Sequence, residues 1–149
     1  CIRDRDIHME MDQLYTELIL EHNQDKRNKR ELSEFTASEH GHNPSCGDDL
    51  TLQIDVQDGI IKDAAYTGSG CAISQASASM MIDIIKGKSV EEALRLVELF
   101  LGMIKKEVTD ESKLEDLEDA MALQNISNMP ARVKCAVLAW HTLKEALKK

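Results

Sequence analysis

Between Leu50 and Thr67 the chain leaves little choice of backbone. Leu50, Leu52, Ile54 and Val56 alternate with Thr51, Gln53 and Asp55, the period-two pattern of a strand with one face buried and one wet. Asp58-Gly59 follows and supplies two residues that tolerate the positive φ of a tight turn, so the run from Ile60 to Thr67 reads as the returning strand of a hairpin. In an antiparallel pair the start of one strand lies beside the end of the next. The segment entering the hairpin, H-N-P-S-C-G-D-D, is thereby brought beside the segment leaving it, G-S-G-C. Cys46 and Asp48 are juxtaposed with Cys71 before any long-range contact is assumed.

Outside the hairpin the pattern is mostly helical. Met11, Leu14, Tyr15, Leu18 and Ile19 fall at the spacing of an amphipathic helix that ends near Glu21 to Gln24. The charged stretch D-K-R-N-K-R-E after it reads as a solvated loop, and Leu32 to Ser38 as an irregular first strand. The segment Ile73 to Lys86 predicts a helix ended by Gly87, with an Ala/Ser face suited to close packing on the sheet. Ser89 followed by Glu92 is a capping box for a helix running to about Lys106. An acidic helical segment spans Ser112 to Leu123. Pro130 opens the last helix, where its missing N–H costs nothing, and Val133, Val137, Trp140, Leu143 and Leu147 recur along it. The expected class is α+β: a small antiparallel β-sheet covered by helices.

The 149 residues suffice for one core but not comfortably for two. The opening C-I-R-D-R-D-I-H-M reads as an artificial leader over residues 1–9, leaving 10–149 as a single domain. With 27 acidic against 18 basic residues the net charge is −9, which repels a nucleic-acid backbone where no basic patch overrides it, and none is visible. No apolar run reaches bilayer length and no secretory signal is visible, so a cytoplasmic location is expected, with neither nucleic acid nor membrane as partner.

Discounting Cys1 leaves three thiols, an odd number that cannot all pair as disulfides. Three thiols and one carboxylate, Cys46, Cys71, Cys135 and Asp48, are what a soft metal ion needs to gather distant segments. Cys46 and Asp48 stand two apart, facing one side if the chain is extended, and Gly47 removes a side chain where the backbone bends. Pro44 pre-sets that approach. Cys71 stands at a strand-to-helix junction and Cys135 in the first turns of the last helix, where unpaired amides favour the thiolate. Thiolates suit zinc, copper(I) or iron, and zinc also tolerates a carboxylate in a tetrahedral set. Four anionic ligands on a divalent ion leave a negative site that wants cations, and Arg132 and Lys134 bracket Cys135 in sequence. This spacing is less specific than paired C-x-x-C knuckles, so buried inert thiols stand as the alternative. His40 and His42 read as solvated residues of a polar loop, and His141 as structural. Tyr15, Met80, Met81, Phe100 and Met103 read as core.

Three motifs in order, N-P-S-C-G-D, G-S-G-C-A-I-S-Q-A-S-A-S-M and P-A-R-V-K-C-A-V-L-A-W, resemble those of the IscU/NifU-like superfamily of iron-sulfur cluster assembly proteins. The resemblance runs from the first helix to the C-terminus. It implies the IscU-like α+β fold and a metal site of Cys46, Asp48, Cys71 and Cys135. Scaffolds of the IscU type carry a histidine before the third cysteine and an L-P-P-V-K motif. Here Lys134 and M-P-A-R-V-K stand in those places. The long stretch from Cys71 to Cys135, with its acidic segment, is similar instead to the SufU type, which implies a zinc-dependent sulfurtransferase. Its partner would be a pyridoxal-phosphate cysteine desulfurase of the SufS type, with further components of the SUF assembly system downstream, and Cys46 would accept the persulfide sulfur. The alternative is a scaffold holding a transient [2Fe-2S] cluster on the same residues. A third reading makes zinc a purely structural pin.

Overall fold

The computed structural model describes residues 17–24, 28–44, 47–108, 110–128 and 130–148. The expected leader, the Met11, Leu14 and Tyr15 part of the first helix, and Cys46 lie outside them. The first helix, α1, covers residues 17–24. Three strands follow, β1 (Ala37–Asn43), β2 (Asp48–Gln57) and β3 (Ile60–Ser69), in an antiparallel sheet of order β1-β2-β3. The chain then enters α2 (Ala72–Ile85), α3 (Val90–Ile104), a single turn α4 (Glu111–Leu114), a 3-10 segment (Glu115–Asn128) and α5 (Pro130–Leu147). The α+β expectation holds.

The hairpin forms as its sequence dictates. Asp58 and Gly59 both take positive φ, 55° and 77°, the requirement of a type I′ turn whose twist matches the flanking strands. Leu50, Leu52 and Ile54 of β2 face the core, as do Ala64 of β3 and, beyond a register shift at Asp55/Val56, Ile61. Asp48 extends the buried face of β2 by one more alternation and is fully buried.

The first strand lies further along the chain than Leu32 to Ser38, reaching Asn43 and placing His40 and His42 within it rather than in a loop. Its core face is Gly41 and Asn43, both buried, so no hydrophobic alternation discloses it. Gly41 is needed because α5 passes close: a Cβ there would lie 2.2 Å from Thr142 Oγ1 and 3.2 Å from Leu138. Ahead of β1, Thr36 N–H donates to the Ile54 carbonyl at 2.8 Å.

The charged stretch is not a solvated loop at its described end. Arg30 N–H donates to Tyr66 O and Tyr66 N–H to Asn28 O, both at 3.0 Å, so this segment pairs with the outer edge of β3 as an isolated parallel bridge. Asn28 is fully buried, and its amide donates to Ser79 O (3.1 Å), Ser79 Oγ (3.0 Å) and Asp83 Oδ1 (2.9 Å) of α2. His22 of α1 meets the same Ser79 hydroxyl at 2.8 Å.

The helices pack on the core side of the sheet. Helix α2 is nearly all buried and lies against α5 as well as β3, so its Ala/Ser face serves helix-helix packing too. Ser77 accepts from Trp140 Nε1 at 2.9 Å and donates to Ala136 O at 2.6 Å, leaving neither polar group bare in the core. Trp140 stacks on Phe100 of α3 with centroids 4.1 Å apart. The last helix buries Cys135, Ala136, Ala139, Trp140, Leu143 and Ala146, whereas Val133, Val137 and Leu147 are only partly covered. Ser89 caps α3 as expected, accepting from Glu92 N–H at 3.1 Å, although the Glu92 carboxylate turns to Arg95.

The acidic segment is not a regular α-helix. Leu114, Leu117, Ala120, Leu123 and Ile126 are all buried, and their constant spacing of three matches the three residues per turn of a 3-10 helix. Two such stretches join across a kink at Glu118, whose φ is 50°. Among the described residues no helix is long and apolar enough to cross a membrane.

Two outcomes follow. Asn28→Ala removes the hydrogen bonds that tie this segment to Ser79 and Asp83 of α2 and is expected to lower unfolding free energy by about 1–3 kcal/mol in urea titrations. Asp63 faces Arg30 and Lys86. Partial burial pushes its pKa up, but the Arg30 hydrogen bonds, the Ala64 N–H and the two cationic charges outweigh this and hold it below the ordinary 3.8. A depressed carboxylate contributes stability above its unfolded pKa and loses it as pH falls through the native one. Asp63→Asn should therefore flatten the decline of the urea midpoint below about pH 4.

Candidate metal centre

Asp48, Cys71 and Cys135 reach one point from three elements, with their ligand atoms all within 4.8 Å of one another. Asp48 opens β2 on its core face, Cys71 is the N-cap of α2, and Cys135 lies fully buried on α5. The hairpin does what its sequence implies: Asp49 pairs with Ser69, which leaves Cys71 only two residues beyond the end of β3. Packing of α5 against β1 and α2 delivers the third donor.

The Asp48 carboxylate is saturated with donors. Oδ1 accepts from Cys71 N–H at 2.8 Å and from Ser74 Oγ at 3.1 Å. Oδ2 accepts from Asn43 Nδ2 at 3.2 Å. Burial alone would raise the Asp48 pKa, but the Cys71 amide, the Cys135 thiol, Ser74 and Asn43 together hold it below the ordinary carboxylate range. The aspartate is thus kept ionised beside two sulfurs.

Each described sulfur is also anchored. Cys71 Sγ accepts from Ser74 N–H at 3.5 Å, a thiol in the role usually taken by a hydroxyl or carboxylate at a helix start. Asn43 Nδ2 approaches Cys135 Sγ at 3.8 Å. Gly70 is needed for close approach, since a Cβ there would lie 2.7 Å from Asp48 Oδ1 and 2.5 Å from Ser74 Oγ. Gly47, in the turn ahead of β2, takes φ of 72°, the left-handed conformation that favours glycine.

The remaining candidates separate cleanly. His40 and His42 point to the outer face of β1, opposite Asp48; their rings stack on each other and His40 pairs with Asp49. Arg132 and Lys134 are exposed on α5. His141 is exposed, and desolvation with the Lys144 and Lys105 charges pushes its pKa down. Met80, Met81, Phe100 and Met103 are core residues. Asn43 and Ser74 are site residues that the sequence reading overlooked. Ser74 was accessible through its position three residues after the capping Cys71, and Asn43 through its place in the same short turn as Asp48.

Two thiols and a carboxylate at these separations fit a tetrahedral ion. Zinc bond lengths of about 2.0–2.3 Å put neighbouring ligand atoms about 3.3–3.8 Å apart, a small contraction from what the fold presents.

The family model for the NifU-like N terminal domain matches residues 14–149. The iron-sulfur cluster assembly scaffold protein IscU of Thermotoga maritima is 48% identical over 91% of this chain and 94% of its own length. The zinc-dependent sulfurtransferase SufU of Bacillus subtilis is 41% identical over 93% of this chain and 92% of its own. A crystal structure assigned to an iron-sulfur cluster assembly scaffold protein for the SUF system, from Fervidobacterium islandicum, superposes with a TM-score of 0.84 at 35% identity, covering 91% of this chain and 97% of that one. With motifs, fold and nearly the whole length in agreement, the chain belongs to the NifU-like N-terminal domain family.

Proposed function

We propose that this protein is a zinc-dependent sulfurtransferase of iron-sulfur cluster assembly, acting in the cytoplasm and accepting persulfide sulfur from a SufS-type cysteine desulfurase. The ligands in this reading are Cys46, Asp48, Cys71 and Cys135, and zinc, when bound, would keep the thiols as thiolates and out of redox chemistry. The observation that carries it is the mutual closeness of the three described donors, all within 4.8 Å. That is nearer the spread of one ion's shell, about 3.3–3.8 Å between ligand atoms, than the wider spacing of a binuclear site. In a [2Fe-2S] cluster the donors are divided between two irons, and those on opposite irons stand further apart.

Cys46 is the acceptor in this reading. Cys135 has no exposed surface, and Cys71 is committed to capping α2. Cys46 belongs by sequence to the turn between β1 and β2, between the exposed Pro44 and Gly47. Transfer needs no oxidant or reductant: the Cys46 thiolate attacks the outer sulfur of the desulfurase persulfide, a new S–S bond forms, the old one breaks, and the desulfurase cysteine leaves as a thiolate. The second reading, a scaffold for a transient [2Fe-2S] cluster, is favoured by the function named for the Thermotoga relative.

Protein purified anaerobically should contain about one zinc per chain. After incubation with desulfurase and cysteine, peptide mass mapping should find one added sulfur on Cys46 and none on a Cys46→Ser variant. Iron and labile sulfide in near-equal amounts, without zinc, would overturn the reading in favour of the scaffold. Gly70→Ala, which drives a methyl into Asp48 and Ser74, is expected to weaken zinc binding by about 10–100-fold in chelator competition, the range seen when ligand-orienting contacts are lost.

A further inference from the structure

We infer that Asn43 is a positioning residue that holds two donor atoms of the site, Asp48 Oδ2 and Cys135 Sγ, together through one amide group. The inference rests on the reading of Asp48 and Cys135 as ligands. Asn43 is buried at 6% exposure and is the register partner of Asp48 across β1 and β2. Its Nδ2 lies 3.2 Å from Asp48 Oδ2 and 3.8 Å from Cys135 Sγ. An amide nitrogen has two hydrogens in fixed directions, so one group can serve both neighbours.

The physical need is clear. A carboxylate and a thiolate this close repel in a buried site where little water screens them. Other donors hold Asp48 Oδ1 and Cys71, whereas Asn43 reaches both the β2 ligand and the α5 ligand from a third element, β1, beside the direct contact of the Cys135 thiol with Asp48. Once the Cys135 thiol gives up its proton to take a cation, Asn43 offsets that repulsion and fixes the separation at which the two atoms are presented. It also withdraws electron density from Cys135, as a hydrogen bond to a metal-bound thiolate does.

The bland alternative is that Asn43 merely fastens β1 to α5. The test uses the full chain, stripped of metal and titrated with Co(II), whose thiolate charge-transfer bands report on the sulfur ligands, and with zinc against a chromophoric chelator. Wild type should show the bands, and Asp48→Ala and Cys135→Ser should each weaken binding. Asn43→Leu, similar in volume but without a donor, should lose at least tenfold in affinity for both ions, in the range typical of such partners. It should also shift the charge-transfer band to lower energy, because an unbonded thiolate gives up charge more easily. The thermal midpoint of the metal-free protein should change little. Asn43→Ala serves in its place should the leucine variant not fold.

Wild-type affinity and band position in the variant would overturn the inference and leave the metal site standing. A lower affinity with a destabilised metal-free protein and an unmoved band would overturn it in favour of the structural role. Absence of thiolate bands in wild type, or full binding by Cys135→Ser, would remove the ligand reading and the inference with it.

Discussion

The structure depends on keeping one carboxylate charged inside the protein. A buried aspartate beside two sulfurs would ordinarily take up a proton or be driven to the surface. Asp48 escapes both because its donors converge from three sides: Asn43 across the β1-β2 ladder, the Cys71 amide where α2 begins, and Ser74 one turn later. The bonds that satisfy the carboxylate also join the end of the sheet to the start of α2. Moving Asp48 would mean breaking several charge-assisted hydrogen bonds, each contributing about 1.5–3 kcal/mol. The candidate site is therefore also the joint between the layers.

The serines of α2 extend the same logic along the helix. Ser74 serves Asp48, Ser77 serves Trp140 and the Ala136 carbonyl, and Ser79 serves His22 and Asn28. A helix buried almost all round cannot sort its residues into an apolar and a wet face. It carries small polar groups wherever a neighbouring element must be met at a defined place. These three serines set where the site, the last helix and the first helix dock on α2, a positional precision that hydrophobic contact alone does not give.

Sequence reading succeeded where local periodicity and local chemistry coincide. The alternation of Leu50 to Val56, the positive-φ pair Asp58-Gly59 and the cap at Ser89 are each decided within a few residues. Because the hairpin is local, the meeting of Asp48 with Cys71 was legible as well. The inclusion of Cys135 was legible only from the chemistry of three thiols and from the family resemblance, because the contact that delivers it, α5 crossing β1 at Gly41, is one that small residues permit and no periodicity announces. For the same reason β1 was placed too early, at Leu32 to Ser38: the buried inward residues at its far end are a glycine and an asparagine. Asn28 was hidden in a charged run because its burial is secured by partners about fifty residues away. The acidic segment was misread through the wrong period, its apolar residues recurring every three positions rather than at the mixed threes and fours of an α-helix.

Relatives named as a cluster scaffold and as a zinc sulfurtransferase both match this chain over nearly their whole lengths, and in the proposed reading what favours one function here is how tightly the donors are held. A second iron requires the ligand atoms to spread. Here Asp48 cannot follow such a movement without giving up Cys71 N–H and Ser74 Oγ, and Cys135 cannot without leaving Asn43. A site restrained at these atoms resists the expansion that a binuclear cluster asks for, and in the proposed reading exchange takes place instead at Cys46, which by sequence belongs to the turn between β1 and β2. Ligand exchange at one cysteine is what a sulfur acceptor requires. In the proposed reading the rigid side of the centre thus favours one ion, and the turn bearing Cys46 supplies the chemistry.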